Sequence, residues 1–121
     1  MMQIKTIVQP TRLEGLRQAF RGMPSFPGMT VYQVRGAGSH INGIEPQGIR
    51  AKLTDYSDKV CIDIVVPEEQ VCAIVDLIHR TCHTGRRGDG VVWVLPVSTF
   101  RRMRETPPAE NGQNRDIPPS E

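Results

Sequence analysis

The sequence predicts an α+β domain assembled from two β-α-β halves, and three observations predict it. Four stretches, "MQIKTIV", "MTVYQVRG", "KVCIDIVV" and "VVWVL", carry the alternating or β-branched patterns of strands. Two stretches between them place apolar residues at helical spacing. The order is β-α-β, a long irregular segment, then β-α-β. Such halves suit one ferredoxin-like βαββαβ sandwich, a sheet with both helices on one face.

In the first half, Met2–Val8 alternates in part and Pro10 ends it. "TRLE" then reads as a capping box, with Thr11 at the N-cap and Glu14 three residues on. Leu13, Leu16 and Phe20 supply the apolar stripe of a short helix, which Gly22, Pro24, Pro27 and Gly28 break. Met29–Gly36 is the second strand. From Ala37 to Asp58 the chain is polar and mixed, with Gly38, Gly43, Pro46 and Gly48 and no steady period. A gap of about twenty residues inside a small domain is a functional or mobile loop.

The second half alternates cleanly. Val60, Ile62, Ile64 and Val66 face one way, and Lys59, Cys61, Asp63 and Val65 the other. Pro67 suits the first position of a helix, and Glu68 and Glu69 suit its positive end. Val71, Ile74, Val75 and Ile78 form the buried stripe. His79, Arg80 and His83 lie in the last turn. Strand Val91–Leu95 closes the sheet. On the uncovered sheet face Cys61, Val65 and Trp93 are too apolar to stay wet, which implies a neighbouring subunit.

With 121 residues and a formal net charge of +2, the chain reads as one domain with no general attraction to nucleic acid. It shows no signal peptide and no apolar run long enough to cross or insert in a membrane. Its three cysteines have no metal-ligand spacing and are read as reduced thiols in a cytoplasmic protein. Residues 105–121, with four prolines and almost nothing apolar, read as a disordered proline-rich tail after a domain over 1–104.

The stretch "TGRRGDG", Thr84–Gly90, joins helix to strand. Its glycines allow positive φ and close approach of backbone N–H groups, and its arginines are cationic forks suited to phosphate. It runs opposite to a Walker loop and lacks the Gly-Lys-Ser/Thr ending. It is therefore either an anion cradle built from main-chain amides and nearby arginines, or a solvated turn.

The segments "IVQPTRLEGLRQAF", "PGMTVYQVRGAG", "KVCIDIVVPEEQV" and "TGRRGDGVVWVLPV" fall in the order and spacing of a known family. Over residues 1 to about 104 the chain resembles the PII signal-transduction proteins. The resemblance implies a compact homotrimer of ferredoxin-like subunits that is a regulator and not an enzyme. It implies adenine nucleotides, ADP, AMP or ATP, bound in clefts between subunits as regulatory ligands and not as cofactors. Gly88, Asp89 and Gly90 match the backbone donors of the phosphate loop, with Arg87 beside them. Arg102 and Arg104 match two arginines reaching the phosphates from the adjacent subunit. Thr30, Asp63 and Val65 match positions around adenine and ribose, with Ile7, Gly36, Ala37 and Gly38 nearby. Residues 39–58 match the flexible T-loop that contacts a target protein, a transporter or an enzyme.

The departures from that family are chemical. Position 47 is Gln where the nitrogen regulators carry a modifiable tyrosine, so uridylylation there has no phenol to act on. His40 replaces a glutamine that helps hold Mg²⁺ and 2-oxoglutarate, while Lys59 is retained. Together they form the candidate site for a second effector or small anion. Val91 and Ser39 stand where the family has basic residues near the outer phosphates. Loss of those cations weakens ATP more than ADP or AMP.

These features resemble divergent, carboxysome- or carbon-associated members, with bicarbonate as the second effector. A metal-responsive protein linked to efflux, using His79, Cys82, His83 and His40, is an alternative. So is a nitrogen regulator sensing ATP and 2-oxoglutarate. No metal site is assigned, and no catalytic constellation can be assembled.

Overall fold

A computed structural model describes residues 1–37 and 56–109. Strands β1 (Met2–Val8), β2 (Thr30–Gly36), β3 (Ser57–Val66) and β4 (Gly90–Pro96) form one sheet in the order β2-β3-β1-β4. Every pairing is antiparallel. Helices α1 (Leu13–Arg21) and α2 (Val71–Cys82) link the strands within each half. This is the ferredoxin-like arrangement.

Alternation in the central strands explains how the two layers meet. Ile4 and Val8 of β1 and Val60, Ile62, Ile64 and Val66 of β3 point to the helices. They pack with Leu16 and Phe20 of α1 and Ile74, Ile78 and Cys82 of α2. Ile4, Ile62 and Ile74 are fully buried, each stabilising the domain by about 1.5–3 kcal/mol through area removed from water. Phe20 stacks on Phe26 with centroids 4.4 Å apart, so the chain leaving α1 is held against the core before β2 begins.

Three local expectations change. Thr11 is not an N-cap and the capping box does not form. Pro10, with its fixed φ, starts a 3-10 turn over Pro10–Arg12, and the N–H of Arg12 bonds the Gln9 carbonyl at 2.9 Å. The α-helix then starts at Leu13, with no side-chain cap. Pro67 likewise precedes a 3-10 turn, Glu68–Gln70, and α2 begins only at Val71. Ser57 and Asp58, read as the end of the long loop, are paired in β3 with Gly36 and Arg35. The rest of that loop, residues 38–55, lies outside the described residues, as does the tail from 110 on.

Among the described residues no helix covers the opposite face of the sheet. Register aligns Tyr32, Cys61, Ile7 and Val91 in one row, and Thr30, Asp63, Lys5 and Trp93 in the next. Val91 is 57% exposed and Trp93 41% exposed. Cys61 differs from expectation: it is already buried within the chain, flanked in register by Tyr32 and Ile7.

Candidate functional site

The loop Thr84–Gly90 is closed by its own aspartate. The Asp89 carboxylate accepts from the Thr84 N–H at 2.7 Å, the Thr84 hydroxyl at 2.5 Å and the Gly85 N–H at 2.9 Å. The Thr84 hydroxyl oxygen in turn accepts from the Arg86 N–H at 3.2 Å. These bonds hold the Asp89 carboxyl down at about 2, the Thr84 hydroxyl contributing most. Asp89 therefore shapes the loop with its side chain.

Gly90 shows why the loop must end on glycine. Its φ is +113°, and a Cβ there would lie 2.0 Å from the Ile7 carbonyl oxygen. The loop is thereby seated on the end of β1. From the other side the Gly88 carbonyl accepts from the Gln9 amide at 2.8 Å and from Lys59 Nζ at 3.2 Å. The stem of Lys59 runs past Gly36: a Cβ on that glycine would touch Lys59 Cγ at 3.4 Å.

One end of the sheet thus gathers Ile7, Gly36, Lys59, Gly88, Asp89 and Gly90. Arg87 is exposed in the same loop, and Ala37 is exposed just beyond β2. Thr30 and Asp63 are neighbours one row further along, and Val65 is half-buried, paired with Gln3. Gly38 and His40 lie outside the described residues.

Arg102 and Arg104 do not join this group within one chain. They line an open cleft of about 580 Å³ with Ser25, Phe26 and Pro27, and the Arg102 guanidinium sits 5.2 Å from the Phe100 ring centroid. The candidate residues thus fall into two separate groups on the chain.

Asp63 has partners that the sequence did not announce. Lys5 Nζ lies 3.0 Å from its Oδ1, and the Tyr32 hydroxyl donates to its Oδ2 at 3.0 Å. Lys5 also donates to Tyr32. Hydrogen bonds to Tyr32 first and Asp63 second push the Lys5 ammonium's pKa up. Gln9 and Thr84 were likewise missed. Thr84 had a signal, since a Thr five residues before an Asp, with glycines between them, can close on it. Lys5 and Gln9 had none, because strand register decides what they face.

Among the described residues no helix is long and apolar enough to cross a membrane. The two-layer fold, the self-closed glycine loop and the sheet face left open among the described residues define a small α+β domain of ferredoxin-like type. The family model for nitrogen regulatory protein P-II matches residues 1–106. Nitrogen regulatory protein P-II 1 of Escherichia coli (strain K12) is 36% identical over 104 residues, covering 86% of this chain and 92% of that protein. The P-II proteins of Klebsiella oxytoca and Pasteurella multocida (strain Pm70) are 36% and 34% identical over the same length. The chain belongs to the P-II family of regulatory signalling proteins, and it is not an enzyme.

Proposed function

We propose that this chain is a homotrimeric sensor of adenine nucleotides in the cytoplasm, which regulates a target protein through the loop between β2 and β3. The observation that carries the reading is the Asp89-closed loop seated on the end of an otherwise uncovered sheet face. Its glycines, at positive φ, offer main-chain groups to a polyanion. The arginines of the other group, around Arg102 and Arg104, would complete the grip from the adjacent subunit with charge-assisted bonds. Assembly on the open face would cover Trp93 and Val91.

The relatives named above are nitrogen regulators. The residues that depart from them favour a carbon-linked role: Gln47 has no phenol, and His40 replaces a magnesium-holding amide. Lys59 at the loop base suits a small anion such as bicarbonate. Val91 and Ser39 bring no cation to the outer phosphates, so ADP and AMP compete at least equally with ATP.

Titration calorimetry against ATP, ADP and AMP, each with and without bicarbonate or 2-oxoglutarate, tests this. ADP or AMP at least as tight as ATP, strengthened by bicarbonate, is expected. ATP much tighter than ADP, or coupling to 2-oxoglutarate alone, returns the chain to ordinary nitrogen control.

A further inference from the structure

The side of the loop that faces α2 carries features that the nucleotide reading leaves unused. His79 and His83 stand four residues apart at the end of α2. His83 follows the last helical residue, yet its N–H still bonds the His79 carbonyl at 2.9 Å. Helical register therefore extends through it, and the two side chains share a face. Both are exposed, and their rings meet edge to face with centroids 5.7 Å apart. His83 Nδ1 lies 4.0 Å from Asp89 Oδ2. With Thr6, Cys82 and Asp89 these histidines border a cavity of about 300 Å³.

We propose that His79 and His83 chelate one late first-row divalent cation, of the Zn²⁺, Ni²⁺ and Cu²⁺ class. Imidazole pairs select these ions over Mg²⁺ and Ca²⁺, which prefer oxygen. Three features favour the site. The carbonyl end of α2 attracts a cation. The Asp89 carboxylate, 4.0 Å from Nδ1 of His83, places a negative charge beside the pair that favours a bound cation. Exposure lets both rings turn toward a common ion without disturbing the core. Cys82 borders the cavity but is buried in the core cluster, whereas both histidines are exposed. Among the described residues no group of three His, Cys, Asp or Glu side chains is placed to hold a metal. The ion thus has two protein ligands and water. This site stands independently of the nucleotide reading.

The test is calorimetric titration of the full-length chain with Zn²⁺ and with Ni²⁺, and with Mg²⁺ as control. One Zn²⁺ or Ni²⁺ per chain and no Mg²⁺ is expected. His79→Ala and His83→Ala each break the chelate and weaken binding by about a hundredfold. His40→Ala and Cys72→Ser leave it unchanged. Histidine ring resonances of the unmutated protein give a second reading that needs no variant. Ni²⁺ should broaden two of the three rings, those of His79 and His83. Wild-type affinity in His79→Ala, loss of binding in His40→Ala, or broadening confined to His40 overturns the site.

Discussion

The carboxylate of Asp89 closes on Thr84, the first residue of its own loop, taking both its N–H and its hydroxyl. The Gly85 N–H adds a third bond to the same oxygen that the Thr84 N–H reaches. A loop of three glycines would otherwise sample many shapes, since glycine loses the most backbone freedom on ordering. Preorganising it removes that cost from ligand binding.

Asp89→Ala should therefore weaken ADP binding by about tenfold or more, while leaving the helix-packed core intact. Asp89→Asn should fall between, because the amide oxygen still accepts but carries no charge. Calorimetry with ADP on both variants decides it. An Asp89→Ala protein that binds ADP like the parent would mean the closure does not shape the site.

The same bonds fix a pH window. The folded carboxyl of Asp89 sits at about 2, below the ordinary aspartate value near 3.9. A lowered folded pKa gives stability that is present above the unfolded value and lost as pH falls through the folded one. The loop should hold unchanged from neutrality down to about pH 4 and open between there and about pH 2. In metal-free buffer, carbon NMR of the Asp89 carboxyl should give a midpoint near the lower limit. A midpoint at or above the ordinary value contradicts the closure.

Two glycines of the loop should respond differently to a methyl group. At Gly90 the Cβ would meet backbone, 2.0 Å from the Ile7 carbonyl oxygen, which cannot retreat without moving β1. Gly90→Ala should destabilise the domain by about 3 kcal/mol or more, combining overpacking with positive-φ strain. At Gly88 the Cβ would meet the Gln9 amide nitrogen at 2.8 Å, the end of a side chain that can swing away. Gly88→Ala should cost about 1 kcal/mol, from its φ of +89°. Urea denaturation of the two variants ranks them, and equal losses would refute the distinction.

The elements were legible because each carried its own period. The strict alternation of Val60, Ile62, Ile64 and Val66 and the stripe of Ile74 and Ile78 need no long-range knowledge. Helix starts were misread, because "TRLE" satisfies a capping pattern while Pro10, one residue earlier, had already bent the chain into a turn. The glycine loop was legible as a possible cradle. Its closure on Thr84 was local, yet it went unread. The Lys5–Asp63–Tyr32 group was not legible at all. Its three members come from three strands, and only register brings them together. The joining of Lys59 and Gln9 at one carbonyl of the loop has the same origin.

Lys59 links the base of the long loop to the glycine loop through the Gly88 carbonyl. Lys59→Met keeps a stem to pack on Gly36 and deletes the ammonium. Nucleotide should still bind, with affinity lowered about threefold for one exposed hydrogen bond. The strengthening by bicarbonate should disappear. Calorimetry with ADP in the presence and absence of bicarbonate reads both. Retained bicarbonate coupling in this variant would remove Lys59 from the second-effector site.

Trp93 reports on assembly, because it is the chain's single tryptophan and stands on the sheet face that no helix covers among the described residues. In register it sits beside Lys5. If three copies close over that face, its emission should lie to the blue and shift red when the protein is diluted below its assembly range. Trp93→Lys would place a second ammonium next to Lys5 and carry an unpaired charge into the interface. Desolvating such a charge costs several kcal/mol, enough to dissociate a trimer. The substitution should spare the fold, since the core lies on the opposite face, among Ile4, Ile62 and the helices. Light scattering after size exclusion should then find a folded monomer with weakened ADP binding, the two half-sites having parted. A Trp93→Lys protein that stays trimeric, or a monomer that binds ADP at full strength, would show that this face does not build the nucleotide cleft.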